Sequence, residues 1–506
     1  MANGGIIGTV NNPTSTTATG VWQQEEQYEA RVTDTWPERS LFTTKSLRFN
    51  DGSSDYLSRT KGTSTSTTKG TYSFWFKLSK TTGLTLIENG TAAADRAIVY
   101  IQSDSTLKLF SKIGNSTKLD LGTNRVFRDT SAWYNVVIAI DTTQGTDTNR
   151  VKLYVNGTQE TSFASSTYPA QNDALRFFTS SEIEEIGIDF ENGGLFDGYM
   201  AEVIKIDGQQ LAPTSFGVTN SDGVWTPIIY LGTYGNNGFN LQFENAAALG
   251  TDSSPNGNTF TVNNLTSIDQ STDYPEVNYA TMSTPTWYNG TIANGGLTIS
   301  TNATNYRYQP SSIGVSSGKW YWEIKFTTAS NYALMGITDQ PHYTTGSTNI
   351  LGSGAYDYAL YYGDGNASGG DGHLYNNAGA SPGNTPGAFM GAFSQGDIIM
   401  FALDCDNNTL KIGANNSWSN GSGSTNQTFS NTTAKAITAV GSTSTGFYFP
   451  AVGDYGGGTS VFDLNFGSPP FAISSGNADG NGYGNFEYAV PSGYYALNTA
   501  NLAEFG

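Results

Sequence analysis

A chain of 506 residues is long enough for two or three domains, each with its own core. Charged residues make up 13% and aromatics another 13%, 60 residues are glycine, and helix-forming runs of Ala, Leu, Glu and Lys are almost absent; this composition points to an all-β protein. The net charge of −19 and pI of about 4.4 argue against nucleic-acid binding, and the single cysteine, Cys405, excludes an intrachain disulfide.

Residues 1–40 differ in character from the rest of the chain. The first twenty are rich in Gly, Asn and Thr, lack the basic and apolar regions of a secretory signal, and read as extended. Gly20-Val21-Trp22 leads into a Glu/Gln run through Gln27 and Tyr28, the one helical candidate, which Trp36-Pro37 stops. Trp22, Tyr28 and Trp36 have no domain of their own: either they pack on the next domain or they dock into a partner protein and order there. The spaced pattern Val21-Trp22, Gln27-Tyr28, Trp36-Pro37 resembles the N-termini of marine phage structural proteins, which implies a virion anchor.

Residues 41–217 read as one β-sandwich. Ser46–Gly52 gives a strand and a turn. In Tyr72-Ser73-Phe74-Trp75-Phe76-Lys77-Leu78 the even-numbered residues share one apolar face. Trp133–Asp141 is a buried strand, Val151–Gly157 ends in an Asn-Gly hairpin turn, and Phe196–Ile206 closes the domain. These phrases, in this order, resemble the laminin-G/concanavalin A-like lectin superfamily. The resemblance implies a jelly roll of two antiparallel sheets and allows a Ca²⁺ ion at an Asp/Asn/Gly loop, although no metal ligands can be assigned and no other cofactor is called for.

Residues 218–285 read as a connector whose aromatics, such as Trp225, Phe239 and Phe243, lie against the sandwiches. Residues 286–473 form a second sandwich. Its Gly318–Phe326 strand places Trp320, Trp322, Ile324 and Phe326 on one face; Ile398–Asp404, Gly446–Val452 and Asn465-Phe466-Gly467 come after it. This set resembles the SPRY domain. Where that family has an Asn-Gly hairpin, this chain has Asn415-Asn416 before Trp418, and the turn is expected to survive. Residues 474–506 resemble the segment that closes this domain in marine phage proteins.

No catalytic set emerges. Glu185, Asp189 and Glu191 fall on one face if the strand is continuous. At ~3.3 Å per residue, Glu185 and Glu191 lie roughly 20 Å apart, too far for a glycosidase pair, whereas Asp189 and Glu191 at about 6.6 Å fit. A solvent-facing strand explains all three better than a catalytic pair does. Gly314-Val315-Ser316-Ser317-Gly318 has its strand after the serine, not before it, and is a turn. Asp404–Thr409 lacks the glycine and the glutamate of a calcium loop and reads as a hairpin. Cys405 reads as a buried spectator.

The glycan-binding candidates are His342, Tyr343, Tyr356, Asp357, Tyr358, Tyr361, Tyr362 and Asp364, because tyrosine faces beside Asp groups suit sugar rings. Tyr356, Tyr358 and Leu360 also alternate as a strand with one core face would. The functional expectation is a non-enzymatic phage virion protein, a tail fibre or tail appendage recognising host surface glycans. It would be made in the host cytoplasm, anchored to other virion proteins through residues 1–40, and homo-oligomeric, a trimer by analogy, with no nucleic-acid or membrane role. A head fibre or capsid decoration protein is the alternative; a polysaccharide-degrading tailspike is the lesser one.

Overall fold

The computed structural model describes residues 44–189, 194–283, 290–301, 307–330, 332–340, 350–362, 372–376, 388–456 and 458–506. They form an all-β molecule of two antiparallel β-sandwiches, with one short α-helix, Thr499–Phe505, among the described residues. No helix among them is long and apolar enough to cross a membrane. The virion-anchor candidates Val21, Trp22, Gln27, Tyr28, Trp36 and Pro37 lie outside the described residues.

The first sandwich pairs two eight-stranded sheets. One runs Thr158–Gln159, Val151–Val155, Trp133–Asp141, Lys69–Leu78, Gly198–Asp207, Ser46–Phe49, Gln270–Ser271, with Phe239–Leu241 also on Gly198–Asp207. The other runs Phe163–Thr167, Ser116–Val126, Thr106–Ile113, Asp95–Ile101, Leu84–Ala92, Ile183–Ile186, Tyr56–Thr60, Thr261–Asn263. The alternation of the Lys69–Leu78 strand is realised: Tyr72, Phe74, Phe76 and Leu78 all enter the core. Asn156-Gly157 makes a two-residue hairpin with φ of 46° and 76°, the signs that a type I′ turn requires.

The connector does more than lie against this domain. It adds strands to both sheets and sends Phe239, Leu241, Phe243, Leu249, Phe260 and Leu265 into the core. Three-residue strands are too short to show a period, so the sequence presents them as loop.

The second sandwich has a ten-stranded sheet centred on Lys319–Thr328 and Ile398–Asp404, facing a six-stranded sheet that includes Ala333–Thr338 and Tyr358–Tyr362. Trp320, Trp322, Ile324 and Phe326 line the core as expected, with Trp322 stacked on Phe401 at 5.2 Å. Asn415 and Asn416, at φ of 49° and 66°, close the expected hairpin. Tyr321, on the opposite face, packs on Phe486 beneath the C-terminal segment. Buried Glu323 ties that segment down: it accepts the backbone N–H groups of Glu487 (2.9 Å) and Tyr488 (2.8 Å). Burial raises its pKa.

The two sandwiches meet along residues 267–282. The Arg48 guanidinium donates to the carbonyls of Ile268 (2.7 Å) and Pro469 (3.0 Å), one in each half of the molecule. Ser271 meets Ser468 at 2.6 Å and Thr272 donates to the Gly467 carbonyl at 2.9 Å. Lys77 and Asp273, both essentially buried, pair at 2.8 Å, and Lys77 also reaches Asn278 Oδ1 (2.7 Å) and the Tyr279 carbonyl (3.0 Å). Tyr279 itself packs with Tyr321 and Phe486 of the second half.

Candidate functional site

Of the described residues in the tyrosine-rich region, Asp357, Tyr358 and Tyr361 are buried, while Tyr356 and Tyr362 are partly exposed. His342, Tyr343 and Asp364 lie outside the described residues. Tyr358 points into the sandwich core, and its hydroxyl accepts the Thr438 N–H at 2.8 Å. Tyr361 faces the other way yet is 1% exposed, edge-on to Tyr375 in a second apolar cluster. Asp357 is buried and accepts the Gly354 N–H at 3.0 Å, its pKa raised by burial. Tyr356 and Tyr362 are partly buried against the core, Tyr362 on Phe326 and Phe393. The alternation is that of a strand with both faces covered at Tyr358 and Tyr361, which takes those two rings out of reach of a sugar.

The carboxylates of the first sandwich are likewise rearranged. The strand carrying Glu185 stops at Ile186, and Gly187 has φ of +93°, so the single face expected for Glu185 and Asp189 does not continue. Asp189 is buried and meets Arg96 at 3.3 Å, while Glu191 lies outside the described residues. The neighbouring Glu184, which no sequence pattern marks, is fully buried between the sheets. It holds Arg59 (2.6 Å) and Lys205 (2.8 Å) and also bonds the Tyr72 hydroxyl. Burial works to raise its pKa, but Lys205, Arg59 and Lys61 bring it down to about 2. This is an internal clamp between sheets, closed to substrate. The Gly314–Gly318 stretch precedes its strand, as a turn does, and Asp404–Thr409 is a hairpin in which Asp404 takes the Asn407 N–H at 2.9 Å. Cys405 is buried, its thiol pushed up to about 12 by burial. Among the described residues no group of three or more His, Cys, Asp or Glu is placed to hold a metal ion.

A cavity that suits a ligand is built, among the described residues, from four parts of the chain: the first sandwich, the connector, the joint and the C-terminal helix. A cleft of about 930 Å³ opens on the outer face of the first sandwich. Its floor is the half-buried ring of Trp225, backed by Trp75 and Trp133, which are 3% and 8% exposed and cluster with Tyr199. Trp75 points outward because Phe74 and Phe76 on either side of it point inward, and its register partner Asn135 lies two residues past Trp133 on the next strand. Trp225 arrives from the connector; beta-carbons added at Gly157 and Gly217 would fall within 2.6 Å and 2.4 Å of its ring, so both positions must be glycine for the indole to seat. The indole N–H groups of Trp133 and Trp225 donate to Asp273 and Asn135, at 2.9 and 3.0 Å. The walls are Asn156 and Thr158 from the hairpin, Asn220 and Asp222 from the connector, Glu276 and Asn278 from the joint, and Thr499, Ala500 and Ala503 from the C-terminal helix. Partial burial raises the pKa of Glu276. An apolar floor with a rim of amides, hydroxyls and carboxylates can take the C–H face of a sugar and its hydroxyls together. The sequence could not assemble it, because its parts run from Trp75 near one end of the chain to Ala503 at the other. The one local signal was an aromatic on each face of the Lys69–Leu78 strand.

Residues 51–208 match the family model described as the Concanavalin A-like lectin/glucanases superfamily. They hold Trp75, Ala132, Trp133, Asn156 and Thr158 of the cleft; the remaining walls lie beyond them. No curated protein matches the chain. Among solved structures it is similar to the SPRY domain of human HERC1 (16% identity, 35% of this chain and 91% of that one, TM-score 0.25). It is also similar to domains LG4-5 of the mouse laminin alpha1 chain (9%, 90% and 87%, 0.29). A third is domain 4 of AbnA, a GH43 extracellular arabinanase from Geobacillus stearothermophilus, in complex with arabinotriose (18%, 28% and 63%, 0.23).

Proposed function

We propose that this chain is a non-enzymatic carbohydrate-binding protein of a phage particle, a tail fibre or tail appendage that holds host surface glycans in the tryptophan-floored cleft. The observation that carries the binding reading is the cleft itself: three indoles beneath a polar rim, on a sandwich matched by a lectin-type family model. The particle reading rests on the resemblance of residues 20–37 to phage N-termini. A shallow, open site of this kind binds at micromolar to millimolar affinity, and several copies on one particle convert that into firm attachment.

The test is a glycan array with multimerised full-length protein, followed by calorimetry on the hits. Ala503→Trp puts a large ring on the cleft wall from the far end of the chain, and it should weaken binding at least about tenfold with unfolding unchanged. Binding unaffected by this substitution would remove the cleft from the reading, and an array without hits would remove the glycans. Deleting residues 1–37 should leave glycan binding intact and abolish incorporation into particles; normal incorporation would overturn the anchor.

A further inference from the structure

We infer that the cleft is built for a cationic sugar, an oligosaccharide carrying free amino groups. This rests on the carbohydrate reading and adds the charge of the ligand. Among the described residues, the charged side chains lining the cleft are Asp222 and Glu276, with no Lys, Arg or His beside them. Lys77, a buried cation bonded to the lining residue Asn278, is committed to Asp273, Asn278 and the Tyr279 carbonyl.

The other polar groups are partly spoken for. Asn278 accepts from Lys77 and donates to the Ser131 carbonyl at 2.6 Å. Asn220 Oδ1 accepts the N–H groups of Asp222 (3.0 Å) and Val224 (2.9 Å). Two indole N–H groups point to partners within the fold, so the half-buried Trp225 ring offers the cleft carbon and an electron-rich π surface. What remains for a ligand is the hydroxyls of Thr158 and Thr219, the side-chain amide N–H groups of Asn156 and Asn220, and, as the charged groups, the carboxylates of Asp222 and Glu276 in the same lining as Trp225. Hydroxyls satisfy carboxylates, but an ammonium does so with charge-assisted bonds and is attracted to the ring as well. A uronate, sialate or phosphate would bring a further negative charge to a chain of net charge −19.

The experiment titrates the full-length protein calorimetrically, near pH ~6 where a sugar amine is protonated, with three oligosaccharides: a glucosamine oligomer, its N-acetylated counterpart and a galacturonic acid oligomer. Exposed ion pairs are individually weak, so two of them should favour the amine over the acetylated form by about fivefold to tenfold, with the uronate silent. Combining Asp222→Asn with Glu276→Gln should bring amine and acetylated forms within about twofold while thermal unfolding is unchanged. Equal affinity of the two forms in the parent protein, or a preference that survives the double substitution, overturns the charge assignment and leaves the carbohydrate reading standing. Silence of all three oligomers overturns the charge assignment, and with an array free of hits it overturns the carbohydrate reading too.

Discussion

Glu184 and Asp197 are both buried carboxylates of the first sandwich, and they behave in opposite ways. Glu184 is surrounded by Arg59, Lys61 and Lys205 and stays ionised. Asp197 is fully buried; Ser79 and Lys80 favour its charge, but burial dominates and raises its pKa to about 7. An unfolded chain releases that proton near pH ~4, whereas the folded chain holds it until about 7. The folded state therefore binds the extra proton between these limits, and this group's contribution to stability falls as pH rises through them. Asp197→Asn keeps the shape and fixes the neutral form. Chemical denaturation at intervals across this window should show a flatter stability profile for the variant, with a gain on the order of 1–2 kcal/mol at the neutral end. Parallel profiles for the two proteins would mean that Asp197 is charged at neutral pH.

At the scale of elements, the Asn156-Gly157 hairpin serves both fold and cleft. Gly157 has φ of +76° and lies against the Trp225 ring. Gly157→Ala adds left-handed strain, about 1–2 kcal/mol, and displaces an indole that has Gly217 on another side. Thermal melts should show the loss, and glycan affinity should fall with it; a variant that melts early yet binds normally would take Trp225 out of the site. Long strands such as Lys69–Leu78 and Lys319–Thr328 were legible because their alternation spans enough residues to fix a face. Gln270–Ser271 was not: two residues carry no period, and their partner, Ser46-Leu47, lies over two hundred positions away. The Tyr358–Tyr362 strand shows the converse, since alternation marks one face as core and is silent about what covers the other. The cleft was hidden for the same reason that the joint was. Each is an agreement between distant segments, and only Trp75, opposite a row of inward rings, gave a local hint.

For the whole molecule the governing feature is the joint at residues 267–282, which belongs to both sandwiches at once. Lys77 and Asp273 are buried there as a pair, so removing one partner strands the other. Asp273→Ala should cost about 3–5 kcal/mol. It should also split a single calorimetric transition into two, as the sandwiches lose their common element. One transition merely shifted downward would mean that the remaining contacts suffice to hold the halves together. Arg48 adds a mechanical consequence. Any pull transmitted by the residues before Thr44 enters the fold through Ser46–Phe49, a strand flanked on both sides by Gly198–Asp207 and Gln270–Ser271. Arg48, in the middle of that strand, grips one carbonyl in the joint and one in the second sandwich. Under the proposed anchoring role, tension entering at Ser46–Phe49 would be divided between the two halves within the first few described residues, loading them together instead of peeling the first sandwich open strand by strand.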